Sequence, residues 1–117
     1  MAKILIADDE AGWRELLLYE LQVEGYEVLT AENGFRALQI LGDEKVDLVI
    51  TDICMAGMDG VDFIETFKKK NPEQKVLFIT GYAVEEKLKK AQKLGAVPYL
   101  EKPFNMDDLF STVRKIL

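Results

Sequence analysis

Residues 48–60 read Leu48-Val49-Ile50-Thr51-Asp52-Ile53-Cys54-Met55-Ala56-Gly57-Met58-Asp59-Gly60, an apolar run that ends in an aspartate and then breaks into methionines and glycines. A run this short, β-branched and bounded by turn residues has the composition of a buried strand. Four further runs resemble it: Lys3-Ile4-Leu5-Ile6-Ala7, Glu27-Val28-Leu29-Thr30, Val76-Leu77-Phe78-Ile79-Thr80 and Val97-Pro98-Tyr99-Leu100, and the run around Asp52 itself spans 47–51. Five short strands are expected.

Between the strands lie segments with helical spacing, such as Trp13, Leu17 and Leu21, or Phe63, Ile64 and Phe67. Gly25, Gly42 and Gly95 stand where helices should stop, because glycine takes the left-handed residue past a helix end without strain. Asn33 before Gly34 and Asp59 before Gly60 sit near helix starts, and Asn105 is placed to cap a last helix from Met106 to Leu117. Strand and helix thus alternate five times. Strands apolar on both faces belong to a parallel sheet covered on each side, so the expected fold is α/β, a three-layer sandwich. A chain of 117 residues fits one domain, 1–117, with no linker and no repeat beyond this βα period.

The totals narrow the function. Apolar residues make up 49% and charged residues 31% of the chain, the balance of a globular domain rather than a disordered one. A net charge of −6 argues against direct binding to nucleic acid or anionic lipid. Cys54 is the single cysteine, no secretory leader is recognisable, and no apolar run approaches the roughly 20 residues of a membrane helix, so the cytoplasm is the expected location. The chain has no histidine, which removes Ser/His/Asp and Cys/His catalysis and a role as phosphohistidine donor. Carboxylates, hydroxyls and lysines are left to carry any chemistry.

In parallel α/β sheets, ligands gather at the carboxyl ends of the strands. There the first strand delivers Asp8 and Asp9, the third Asp52, the fourth Thr80 and Gly81, and the fifth Glu101, Lys102 and Pro103. Taken singly, Asp8 and Asp9 also read as helix caps, Asp52 as a turn residue, Thr80 as a strand residue and Lys102 as a surface lysine. Together they are costly: two like charges ~4 Å apart repel by roughly 4 kcal/mol at an effective dielectric near 20. Three carboxylates facing one lysine call for a divalent cation. With oxygen ligands only, Mg²⁺ is favoured, with Mn²⁺ as a substitute, over zinc. A hard metal, a lysine and a hydroxyl around one aspartate suit phosphoryl transfer, with Asp52 as the nucleophile that becomes an aspartyl phosphate.

The ordered set Asp8-Asp9, Asp52, Met55, Met58-Asp59-Gly60, Thr80-Gly81, Tyr99 and Lys102-Pro103-Phe104 resembles the receiver domain of bacterial two-component response regulators, chemotaxis regulators included, from Lys3 to Leu117. The resemblance implies a flavodoxin-like, doubly wound five-stranded sheet of order 2-1-3-4-5. It implies that a sensor histidine kinase or phosphotransfer protein passes a phosphoryl group from phosphohistidine to Asp52. Asp9 would ligate Mg²⁺ directly, Asp8 through water, and Asp52 and the Cys54 carbonyl would complete the protein ligands. Lys102 would pair with Asp52, Thr80 would turn towards the phosphoryl group, and Tyr99 would swing in behind it. The Lys102-Pro103 bond would be cis. A downstream effector would read the surface of the fourth helix, fifth strand and fifth helix, and phosphorylation could drive dimerisation. Such a protein catalyses its own phosphorylation and dephosphorylation, yet is a signalling switch and not a conventional enzyme. A stand-alone regulator and a receiver cut from a longer protein both remain open.

Ala56 departs from the family pattern, which often has proline four residues after the phosphoacceptor, so a looser loop is expected there. Cys54 reads as a small residue packed at a strand end. Tyr82 is expected near the mouth of the site, Trp13 either in the core or facing the phosphodonor, and Lys68-Lys69-Lys70 at a solvated helix end. Three rival functions are a flavin mononucleotide binder, a phosphohydrolase with an aspartyl phosphate intermediate, and a pseudo-receiver that only binds partners. Asp8-Asp9-Glu10 would repel a flavin phosphate, and Cys54 stands where such a hydrolase would want a second carboxylate.

Overall fold

The computed structural model describes residues 1–81, 85–94 and 99–117. Tyr82, Gly95, Val97 and Pro98 therefore lie outside the described residues. Among the described residues, five strands and five helices alternate: β1 (Lys3–Ala7), α1 (Ala11–Val23), β2 (Glu27–Ala31), α2 (Gly34–Asp43), β3 (Leu48–Asp52), α3 (Gly60–Lys68), β4 (Val76–Thr80), α4 (Glu85–Lys93), β5 (Tyr99–Glu101) and α5 (Met106–Ile116). The strands form one parallel sheet in the order β2-β1-β3-β4-β5, as the resemblance implied.

Alternation along each strand splits the apolar residues between two cores. Ile4, Ile6, Ile50, Leu77 and Ile79 pack on Leu17 and Leu21 of α1 and on Leu109 and Val113 of α5. Leu5, Ala7, Val49 and Phe78 face the other way, onto Ala37 and Leu41 of α2, Phe63 and Ile64 of α3 and Ala91 of α4. The result is a three-layer sandwich. Every residue of β3 and β4 is buried, which is why their sequences run apolar without a polar face. β5 differs: it lies at the sheet edge with Tyr99 and Glu101 exposed, so it is not apolar on both faces.

Helix ends follow local chemistry. Asn33, Asp59 and Asn105 each accept a hydrogen bond from a backbone N–H three residues on, at 2.8, 2.9 and 2.7 Å. At Gly25, φ is +99°; its N–H donates to the Gln22 carbonyl and that of Tyr26 to the Leu21 carbonyl, the paired bonds of a Schellman ending. Gly42 does not end its helix. It lies inside the last turn of α2, and only Gly25 and Gly57 among the described residues have positive φ. The last helix stops at Ile116, with Leu117 as its cap. Lys68 is not simply solvated either, since its ammonium donates to the Leu94 carbonyl at 2.8 Å.

Parallel strands all point their carboxyl ends to one edge. β1, β3, β4 and β5 therefore deliver Asp8, Asp52, Thr80 and Lys102 to the same pole of the molecule.

Candidate functional site

Asp52 is the last residue of β3, one residue later than the sequence pattern suggests, and is 3% exposed. Its Oδ1 accepts from the Cys54 N–H at 2.9 Å and its Oδ2 from the Lys102 ammonium at 2.9 Å. The backbone behind it is closely packed: a Cβ on Gly60 would collide with the Asp52 carbonyl, and the Gly60 N–H donates to the Ile53 carbonyl at 3.0 Å. Glycine at 60 thus lets α3 start directly against the end of β3.

Asp8 follows β1 and is fully buried. Its Oδ2 accepts from Lys102 at 2.8 Å, its Oδ1 from the Glu10 N–H at 2.9 Å, and its carbonyl from the Arg14 guanidinium at 2.7 Å. Neither Asp8 nor Asp9 is the helix cap: Glu10 holds that position and makes no side-chain capping bond. Burial pushes the Asp8 carboxyl above its ordinary range, against the lowering effect of Lys102 and the Glu10 N–H. Asp9 is exposed and its Oδ2 accepts from the Ala56 N–H at 3.1 Å. A proline at 56 would have no N–H to give. The loop expected to be loose is therefore tied to Asp9, and it rests on α2, where a Cβ on Gly34 would approach the Met58 carbonyl to 2.8 Å.

Lys102 is the hub. Its ammonium contacts Asp8, Asp52 and Glu10 at 2.8, 2.9 and 3.1 Å, and its backbone N–H donates to the Thr80 carbonyl at 2.8 Å. Burial alone would lower its pKa, but the bonds to Asp52 and Asp8 outweigh that and raise it, so the ammonium stays charged. The Lys102-Pro103 bond is cis. Trp13 forms a wall of the site rather than part of the deep core, its ring 5.0 Å from that of Phe104 and 5.2 Å from the Lys102 ammonium. Thr80 is buried at the end of β4, and Tyr99 is 39% exposed at the start of β5. Cys54 is half-buried, and burial raises its thiol pKa, so the thiol is no ready nucleophile.

Glu10 is the residue that sequence reasoning missed. One oxygen each from Asp8, Asp9, Glu10 and Asp52 lie within 4.8 Å of one another. Four carboxylates thus gather at one spot, three of them in contact with the Lys102 ammonium, and the donors are all oxygens. That set fits a hard divalent cation such as Mg²⁺. The only hint in the sequence was the third consecutive acidic residue.

With this geometry in place, the comparisons decide the family. The model of the response regulator receiver domain matches residues 4–114. The chain belongs to the response regulator receiver family. It is 36% identical over 115 residues to sporulation initiation phosphotransferase F of Bacillus subtilis, covering 98% of this chain and 93% of that protein. It is 39% identical over 114 residues to an NtrX-like response regulator of Rickettsia felis, but spans only 24% of that longer protein. The chemotaxis protein CheY4 of Vibrio cholerae superposes with a TM-score of 0.93 at 33% identity, over 100% of this chain and 99% of that one. The response regulator TrrA of Thermotoga maritima, solved in complex with Mg²⁺ and BeF, has a TM-score of 0.88 at 41% identity over the whole of both chains. This receiver is a phosphoacceptor module of two-component signalling. No helix among the described residues is long and apolar enough to cross a membrane.

Proposed function

We propose that Asp52 accepts a phosphoryl group from a phosphohistidine of a sensor kinase or phosphotransfer protein, in a reaction that depends on Mg²⁺. The observation that carries this reading is the buried ammonium of Lys102, held 2.9 Å from Asp52 and 2.8 Å from Asp8. An Asp52 carboxylate oxygen attacks phosphorus, the P–N bond to the donor imidazole breaks, and the imidazole leaves with the bonding pair. Asp9 and Asp52, with the Cys54 carbonyl, would hold Mg²⁺, and Asp8 would act through water. The ion, when bound, supplies charge neutralisation to the phosphoryl oxygens.

The chain's own groups do the rest. Lys102 neutralises charge on the phosphoryl oxygens from the place it already holds against Asp52. The bond from the Cys54 N–H to Oδ1 fixes the plane of the nucleophile. Phosphorylation replaces about one negative charge by nearly two and adds acceptor oxygens. The Thr80 hydroxyl turns to meet them, and Tyr99 follows, so that the surface of α4, β5 and α5 changes and a downstream effector or a second receiver reads it.

Intact-mass measurement after incubation with acetyl phosphate and Mg²⁺ tests the assignment. The wild-type chain should gain the mass of one phosphoryl group, and Asp52→Asn should not. A gain that survives the substitution overturns the choice of Asp52.

A further inference from the structure

We infer that Glu10 is a charge gate over Asp52, a specificity-determining carboxylate that occupies Lys102 before phosphorylation and selects against small, highly charged phosphodonors. The inference rests on Asp52 being the phosphoacceptor.

Glu10 stands at the N-cap position of α1, yet its side chain does no capping. It reaches instead across the mouth of the site to Lys102, 92 residues away in sequence, at 3.1 Å. A lysine ammonium has three N–H donors, and here Asp8, Asp52 and Glu10 take all three. A phosphoryl oxygen that is to pair with Lys102 must displace one of them. The side chain of Asp8 is 0% exposed, so releasing it would strand a buried charge, and Asp52, 4% exposed, keeps its charge and its hold on Lys102 until the P–O bond forms. Glu10 is 58% exposed and returns to water when released. It is the partner that yields.

The same position makes it a filter. Glu10, Gly12, Trp13 and Leu16 line a shallow cleft beside the site, so a donor entering over this edge meets the Glu10 charge first. Repulsion grows with the charge on the donor. A protein donor offsets it with the contacts of its own docking surface, whereas a small molecule has none to offer.

The test uses the full chain at saturating Mg²⁺, so that any change in metal affinity drops out. Phosphorylation is followed as a time course by intact mass, with acetyl phosphate as the dianionic donor and phosphoramidate as the less charged one. In each case the Asp52 oxygen forms the new P–O bond; with acetyl phosphate, acetate leaves with the electron pair, and with phosphoramidate, ammonia leaves after protonation by solvent. At low salt, Glu10→Gln should speed the acetyl phosphate reaction about 3- to 10-fold and the phosphoramidate reaction less, and the gain should shrink as salt shortens the Debye length from about 10 Å to about 3 Å. Glu10→Asp keeps the charge but shortens the reach to Lys102, so its gain with acetyl phosphate should be smaller than that of Glu10→Gln. Equal rates for wild type and Glu10→Gln, or a gain that is the same for both donors and unaffected by salt, overturns the gate. A wild-type chain that takes no phosphoryl group overturns the Asp52 reading itself, and the gate with it.

Discussion

Asp8 shows how a single residue can be held in a costly state because the site needs it. Its carboxyl is fully buried, and burial raises its pKa despite the Lys102 contact at 2.8 Å. A carboxyl whose folded pKa is raised contributes stability below its ordinary value, and that contribution is lost as pH rises through the raised one. The Asp8 carboxyl therefore contributes less to the metal-free fold at neutral pH than at low pH. Asp8→Asn keeps an acceptor for the Glu10 N–H and removes the charge. In urea melts with a chelator present, it should be more stable than wild type by on the order of 1 kcal/mol at pH 7, with the advantage fading towards pH 4. An advantage that is larger at pH 4 would contradict the burial argument. At this scale the sequence was legible where residues end strands: Asp8, Asp52, Thr80 and Lys102 converge because parallel strands share a direction. It was not legible at Glu10, whose default at a helix start is water, and whose bond to Lys102 exists only once β1 and β5 are brought to one edge. Nor was it legible at Ala56, where the missing proline ring suggested slack and the freed N–H instead holds Asp9.

Among the helices, α4 is the one that packing secures least. Its sequence, Glu85 to Lys93, is mostly charged and buries only Ala91 fully. Charge fastens it to α3 instead: Lys87 meets Asp59 at 2.7 Å, and Lys90 meets Asp62 and Glu65 at 3.3 and 3.5 Å. Asp59 has two tasks, since its Oδ1 also caps α3 through the Asp62 N–H. Burial would raise its pKa, but the bonds from Lys87 and the Asp62 N–H bring it below the ordinary 3.8. Its stabilising effect is therefore present above that value and is lost as pH falls through the lowered one. A double-mutant cycle of Asp59→Asn, which retains the cap, with Lys87→Met should give a coupling of about 0.5–1 kcal/mol in urea melts at low salt, reduced in high salt. Asp59→Ala should cost about 1 kcal/mol more than Asp59→Asn, because it also removes the cap. A coupling that is indifferent to salt would show that packing, not charge, joins the two helices. Helix caps were readable in the sequence because they are local, as Asn33, Asp59 and Asn105 show. The attachment of α4 was not, because its partners lie far back along the chain, Asp62 28 residues before Lys90. Gly42 marked the end of α2 to within one residue without making it: glycine permits a left-handed ending but does not impose one, and α2 stops at Asp43.

For the whole molecule, the sandwich was readable from strands that are apolar on both faces, but the strand order was not. Periodicity fixes which residues are buried, while the order β2-β1-β3-β4-β5 depends on which side each crossover passes, and it came from family resemblance. That order places β1 and β3 side by side at the centre, so Asp8 and Asp52 end adjacent strands and their charges meet. Of the net charge of −6, the four carboxylates around Lys102 concentrate an excess of negative charge on a single pole. A divalent cation that binds this pole in the folded chain and not in the unfolded one must stabilise the fold by mass action, by about 2.7 kcal/mol at a hundredfold excess over its dissociation constant. Thermal melts should therefore show Tm rising with MgCl₂ well beyond the rise produced by NaCl at equal ionic strength, and falling back on chelation. Asp9→Asn should lose most of the Mg²⁺ effect while melting near the wild-type Tm without the ion, because Asp9 is exposed and the hydrogen bond that it accepts from the Ala56 N–H can be kept by the amide oxygen. Equal shifts with the two salts, or an Asp9→Asn chain that responds to Mg²⁺ as fully as the wild type, would mean that the acidic pole is screened rather than specifically occupied.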